Sequence, residues 1–406
     1  MATQATSITP PIQVDIAVVG AGMVGLASAL GFAQQGLSVA IVAPEESLQL
    51  SDDYQLRVSA INYASQRLLT RLGAWHHIPR KAPYQSMEVW DKDGIGRIHL
   101  DGQRLGHSDI GHIIENQAVQ IGLEQALSGY PNVVRVSDKI ASLSVADDAA
   151  WLATESQQMV SAKLIVGADG AHSKVRSLAN IGIKFQDYGH YGLVATVHTE
   201  RPHLGVARQV FLKDGPLAFL PLGNPHLSSI VWSTSPDNVK QLSECSPEQF
   251  DRQITAAFDS TLGLCNVQSA RPYFPLTMRL ANDFVKERIV LMGDAAHTIH
   301  PLAGQGVNLG LLDCAVLLEK VDQWQQKEAD YGRRSYLVEY QRWRNSEAIE
   351  MIATMEAFKR LYAGNHPLKQ GLRDLGMNLV NKAAPVKDRL VAKAMGLGRN
   401  LPRWCQ

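Results

Sequence analysis

The sequence predicts an α/β protein with three regions: a βαβ domain assembled from separated stretches of chain, a mostly antiparallel sheet domain inserted between them, and a helical C-terminus. Three observations predict it. The apolar run Val14–Val19 leads straight into the glycine-rich turn Gly20-Ala21-Gly22-Met23-Val24-Gly25. Two later apolar runs, Leu164–Val166 and Ile289–Met292, end in Gly-Ala-Asp and Gly-Asp turns. Between them, residues 188–276 are dense in short strand-like stretches separated by turn residues.

The first run and its turn read as strand, tight turn and helix. Gly20 permits the sharp turn, and Gly22 lets backbone amides approach phosphate oxygens. Gly25 lets the helix pack closely on the strand, its positive end toward an anion. Ala29 and Ala33 keep one helix face small, and Gly36 followed by the strand Ser38–Val42 closes a βαβ unit. That context favours a Rossmann-like dinucleotide site over a purely structural turn.

Residues 55–73 predict a loop entering a helix, with Leu68, Leu69 and Leu72 as its buried stripe. Strand-like Ser86–Trp90 and Gly96–Leu100 follow, set off by the turns Asp93-Gly94 and Asp101-Gly102. Gln117–Leu127 predicts a helix, and Val133–Thr154 alternates in the manner of antiparallel strands. In the inserted block the strands are Gly192–Val197, Ala218–Leu222 and Ser228–Trp232, with one helix at Pro247–Phe258. Gly304–Lys320 and Tyr336–Tyr362 predict long helices. The expected division assigns 12–82, 111–186 and 281–345 to the nucleotide domain and 83–110 to a contribution to the second sheet. Residues 187–280 form the substrate domain and 346–406 the C-terminal helical region.

The later motifs sharpen the chemistry. In the second, a strand runs into Gly167-Ala168-Asp169-Gly170, with Ser173 and Arg176 on the helix that follows. A carboxylate among glycines at a strand end accepts hydrogen bonds from a ribose or tethers neighbouring loops, although Asp-Gly alone is ordinary turn chemistry. In the third, a buried strand delivers Gly293-Asp294, and His300-Pro301-Leu302-Ala303-Gly304-Gln305-Gly306 leads into a helix. Free amides at that helix start stabilise a ring that gathers negative charge on reduction.

Composition limits the alternatives. The 406 residues carry 39 Lys+Arg against 39 Asp+Glu, a balance that argues against a general nucleic-acid binder. Cys245, Cys265, Cys314 and Cys405 are scattered, which suits reduced thiols better than a disulfide framework or a zinc site. Met1–Gln13 has no apolar leader, and no stretch approaches the roughly 20 apolar residues of a membrane span. A cytoplasmic protein is expected, at most peripheral to an inner membrane. From Met351 to Gln406 ten Lys/Arg face three Asp/Glu. Leu368, Leu372, Leu375 and Leu379 share one helical face there, as do Val386, Leu390, Ala394 and Leu397. Two readings stay open for this stretch: a helix pair packed on the body, or a basic amphipathic surface for an anionic membrane or an acidic partner.

The three motifs, in this order, resemble the class A flavoprotein monooxygenases of the p-hydroxybenzoate hydroxylase fold. The segment His300–Gly310, with Asp313, is similar to the signature of the ubiquinone-biosynthesis hydroxylases within that class. The stretches Val58–Asn62, Glu88–Asp93 and Ala207–Phe211 resemble its bacterial octaprenylphenol-hydroxylating branch. The resemblance implies FAD as cofactor, NAD(P)H as transient reductant, and dioxygen and a polyprenylated phenol as substrates. It implies that Gly20, Gly22 and Gly25 hold the FAD pyrophosphate and that Arg57 lies along the cofactor. By the same resemblance Gly293 and Asp294 reach the ribityl chain, and Pro301, Gly304, Gln305, Gly306 and Asn308 sit against the ring. Asp169 and Gly170 belong to a motif shared by FAD and the pyridine nucleotide.

Two departures stand out. The family usually ends its second strand with a ribose-binding acid, and here that place is Ala43, with Glu45 and Glu46 just beyond. Many relatives carry an arginine where this chain has Asn116. No catalytic side chain is assigned, because a phenol is already electron-rich. His297 and His300 lack a third ligand, so no metal is expected. Phe219, Leu222 and Trp232 are candidates for a substrate pocket and equally for ordinary core. The competing functions are hydroxylation of a soluble aromatic, flavin-dependent reduction of prenyl chains, and a flavin-loaded scaffold without catalysis.

Overall fold

The computed structural model describes residues 10–299, 306–362, 383–398 and 400–406. The expected features at His300, Pro301, Gly304, Gln305, Leu368, Leu372, Leu375 and Leu379 lie outside the described residues. Strand Ile12–Val19 sits at the centre of an eight-stranded sheet because both its faces are apolar; Ile16, Ala17 and Val18 are fully buried. It pairs in parallel with Val39–Val42 on one side and Met159–Gly167 on the other. Ile289–Leu291 adds in parallel to Met159–Gly167, so the three motif strands deliver their turns at the same sheet end. Helices Met23–Gln34, Asn116–Leu127 and Gly306–Gln325 pack together beside this sheet.

Residues 133–154 depart from the all-antiparallel expectation. Val133–Val136 extends the sheet in parallel beside Val39–Val42, and only Ile140–Val145 and Ala150–Thr154 form an antiparallel pair. Alternation reports one exposed face; it does not report strand direction.

The second sheet has nine strands and is built on the 17-residue strand Ile183–Thr199. Leu227–Thr234 and Tyr273–Ala281 flank it in antiparallel fashion. Ser86–Asp91 joins in parallel beside Val206–Leu212, and Arg97–Asp101 forms the adjoining edge. At the other edge, His297–Thr298 pairs with Arg279 and Leu280, tying the third motif directly to this sheet. A three-stranded sheet, Val58–Ile61, Gly111–Glu115 and Ala82–Tyr84, completes the strands beside the motif turns.

One face of the large sheet is covered by two helices, not one. Pro247–Ala257 is opened by a capping box between Ser246 and Gln249. Pro236–Glu244 precedes it and was not expected; Pro236 in its first turn and buried Val239 and Leu242 explain why it forms despite a polar composition. At the C-terminus, helix Ala384–Ala394 packs through Val391, with Met395 just beyond. Val386 and Leu390, expected on one helical face with Ala394 and Leu397, are 44% and 40% exposed. Arg104 to Asp388 at 2.9 Å and Lys387 to Asp101 at 3.8 Å fix the helix in this rotation.

Candidate functional site: a dinucleotide cleft at the convergence of three motifs

The three glycines of the first turn have different surroundings. A Cβ on Gly20 would stand 2.3 Å from the Ala168 carbonyl oxygen, and one on Gly25 would stand 2.0 Å from that of Gly20. Those two glycines let strand, turn and helix touch. Gly22, which caps helix Met23–Gln34, has no heavy atom within 4 Å of the same position. The unfilled space lies at the positive end of a 12-residue helix, where a phosphate belongs.

The second motif closes on the same place. The Asp169 carboxylate accepts from the Ser173 hydroxyl at 2.5 Å and from the backbone amides of Lys174 and Val175 at 2.7 and 3.0 Å. It therefore anchors the start of helix Lys174–Leu178. Buried Arg176 donates to the carbonyls of Ala295 and Ala171 at 2.8 and 2.9 Å, bolting the second motif to the third. Gly170 holds a left-handed φ of +82° between them.

In the third motif, Gly293 adopts φ +56° and Asp294 stands open to the groove. The protein crowds around Asp294 without closing it off from water. This crowding raises its carboxyl above the ordinary value even though His297, Arg57 and Arg279 pull the other way. Arg57 is exposed, and its carbonyl accepts from the Asn116 amide at 3.0 Å. Asn116 also accepts from the Ser59 hydroxyl at 2.7 Å, tying its helix start to strand Val58–Ile61. Helix Gly306–Gln325 begins beside this groove. A Cβ on Gly310 would lie 2.8 Å from Val24 and 3.0 Å from the Gly293 backbone, so the first and third motifs meet there. The Asn308 side chain accepts from the Asn62 amide at 3.1 Å and donates to the Ala60 carbonyl at 2.8 Å. That stitch holds the strand following Arg57 against the helix start.

Beneath the groove lies a charged network the sequence did not disclose. Asp313, fully buried, accepts from the Gly293 amide at 2.8 Å, bonds His297 Nε2 at 2.6 Å, and accepts from Arg344 Nε at 2.6 Å. Burial alone would raise the Asp313 carboxyl, but His297 and Arg344 outweigh it and hold it below the ordinary value. Arg344 also donates to the Leu309 carbonyl at 3.2 Å, reaching the first turns of the helix. His297 is thus committed to a carboxylate inside the protein.

The substrate-pocket candidates divide. Phe219 stacks on Phe258 with ring centroids 3.8 Å apart, and Trp232 packs near Phe250, both in the core beneath the two covering helices. Leu222 belongs to a different cluster, with Ala60, Ile113 and Ala207, and lines a cavity with Tyr54, Arg80 and Glu115. Strand alternation puts Phe219 and Trp232 on the helix-covered face, away from Leu222. Among the described residues no helix is long and apolar enough to cross a membrane.

The chain matches the FAD binding domain family over residues 13–353. It is 36% identical to 3-demethoxyubiquinol 3-hydroxylase of Escherichia coli, covering 94% of this chain and 98% of that protein. It is 34% identical to the ubiquinone hydroxylase UbiL of Rhodospirillum rubrum, covering 96% and 92%. With the ubiquinone biosynthesis monooxygenase COQ6 of Xenopus tropicalis it shares 32%, covering 96% and 95%. Among solved structures, p-nitrophenol 4-monooxygenase PnpA from Pseudomonas putida DLL-E4 superposes with a TM-score of 0.78 at 20% identity, covering 96% of this chain and 100% of that one. The residues fit FAD: the open space at Gly22 suits a pyrophosphate, and the open carboxyl of Asp294 suits a polyhydroxyl chain.

Proposed function

From the premise that the chain belongs to the FAD binding domain family, we propose that it is an FAD-dependent hydroxylase of ubiquinone biosynthesis acting on a polyprenylated phenol. The observation that carries this reading is the convergence of all three motif turns on one groove, together with full-length similarity to proteins named for that chemistry. Bound FAD, reduced by NAD(P)H, supplies the activation of dioxygen and the transfer of one oxygen atom to an electron-rich ring.

The protein's own part is placement. Gly20 and Gly25 bring the strand and helix together, and Gly22 leaves room for the pyrophosphate at the helix end. Asp294 receives ribityl hydroxyls, and its raised carboxyl makes such hydrogen bonds welcome. Arg57, whose backbone carbonyl is fixed by the Asn116 amide, is placed to lie along the cofactor. Gly306 and Asn308 face the ring at the start of a 20-residue helix. Asp169 and Gly170 act by fixing the second motif against the third.

A prenylated phenol reaches the enzyme from a membrane or a lipid-carrying partner. The C-terminal helix Ala384–Ala394 supports surface docking: Val386, Arg389, Leu390 and Lys393 all lie on its exposed side. The deciding experiment is to delete the gene, identify the quinone precursor that accumulates, and supply it to purified protein with NAD(P)H. Oxygen-dependent consumption with a hydroxylated product is expected. Product formation without oxygen, or rescue of the deletion by a variant unable to hold FAD, refutes the hydroxylase reading.

A further inference from the structure

A cleft opens directly beyond the glycine turn, between the end of strand Val39–Val42, the end of strand Val133–Val136 and helix Asn116–Leu127. Its walls include Ala21, Ala43, Glu45, Glu46, Gln120 and Arg135. Gln120 donates to the Ala21 carbonyl at 3.3 Å, so this wall and the glycine turn are one construction. The place where a Rossmann strand ordinarily presents an acid to the adenosine ribose is occupied by Ala43, whose amide is fixed on the Val136 carbonyl at 3.1 Å. Ala43 has no side-chain acceptor.

The carboxylates that do line the cleft come from the following loop. Glu45 and Glu46 are exposed, and neither makes a hydrogen bond or ion pair among the described residues. The other charged wall residues are already matched, Arg135 with Glu124 across the cleft. We propose that the Glu45–Glu46 pair replaces the missing strand-end acid and holds the hydroxyls of the adenosine ribose, so that this chain grips FAD from the loop after the strand. The proposal rests on the flavin reading above and specifies its adenosine end.

Electrostatics gives the test a sign. Two carboxylates beside a pyrophosphate repel it, so deleting them strengthens FAD binding if they do nothing else. If they bond the ribose, deletion weakens binding despite the relief of repulsion. Apoprotein of wild type and of the E45A/E46A variant is titrated with FAD and the quenching of flavin fluorescence followed, with thermal melts of both apoproteins as a check on folding. Both side chains are exposed, so the melts are expected to coincide. A rise of fivefold or more in the FAD Kd supports the proposal. An unchanged or lowered Kd overturns it while leaving the flavin reading intact. Wild-type apoprotein that takes up no FAD brings down the flavin reading itself.

Discussion

Arg344→Met severs the network beneath the cofactor groove while keeping much of the apolar stem of the side chain. In the wild type the guanidinium supplies a charge-assisted bond to Asp313 at 2.6 Å and a bond to the Leu309 carbonyl at 3.2 Å, both buried. Its third contact, to Glu347, reaches a carboxylate that is 35% exposed, so water takes over and at most about 1 kcal/mol is lost there. Asp313 is a different case. Left with only His297 and the Gly293 amide, it becomes an under-compensated buried charge, and breaking such a pair costs about 3–5 kcal/mol. Against a total stability of about 5–15 kcal/mol that loss is a large fraction, and it leaves a frayed groove floor.

The assay is urea unfolding of the apoprotein at neutral pH, paired with FAD titration. The variant is expected to unfold at clearly lower urea and to bind FAD more weakly, because Leu309 loses its partner and the Asp313 carboxylate that holds the Gly293 amide loses its anchor. Arg344→Lys retains charge without the two-pronged reach and falls between. A pH series adds a sign. Asp313 is held below its ordinary value of 3.8, so its stabilising contribution is present above that pH and is lost as pH falls through the folded value. Without Arg344 the carboxyl rises, and acid unfolding begins at a higher pH. The reasoning is refuted if R344M unfolds within about 1 kcal/mol of wild type and holds FAD equally well.

Further outcomes follow from the same geometry. Gly22→Ala has space in the apoprotein and leaves its melting temperature unchanged, yet FAD titration shows weakened binding; Gly25→Ala, with its Cβ 2.0 Å from a carbonyl oxygen, lowers the melting temperature as well. Asp294→Asn removes a carboxylate whose folded value is raised, a penalty that appears as pH rises above 3.8; the apoprotein therefore melts higher at neutral pH while its FAD Kd increases. Phe219→Ala costs about 3–5 kcal/mol in denaturant unfolding, the scale for a buried phenylalanine, and leaves the KM for the phenol unchanged once the protein is folded. An altered KM with little loss of stability would return that ring to the substrate cavity.

The sequence made the motif turns legible because each is local: a strand, two or three glycines and a helix start, all within about twenty residues. What it concealed are contacts between distant segments. Asn308 reads as one residue of a signature, and only the fold reveals that it grips Ala60 and Asn62. Arg344 lies in an unremarkable helical stretch, although its partner Asp313 was part of the third motif's signature. Phe219 and Trp232 illustrate a different limit. Alternation separates two faces of a strand, but the missed helix Pro236–Glu244 is part of what decides which face is covered. Val133–Val136 was misread for a similar reason, since strand direction is set by a neighbour almost a hundred residues earlier.

The stitch between Asn308 and the backbone at Ala60 and Asn62 also bears on biogenesis. A nascent chain that has emerged only as far as the second sheet owns a glycine turn but no floor beneath it, for Asp313 and Arg344 are still to be synthesised. The floor of the groove is therefore complete only after more than four-fifths of the polypeptide has been made.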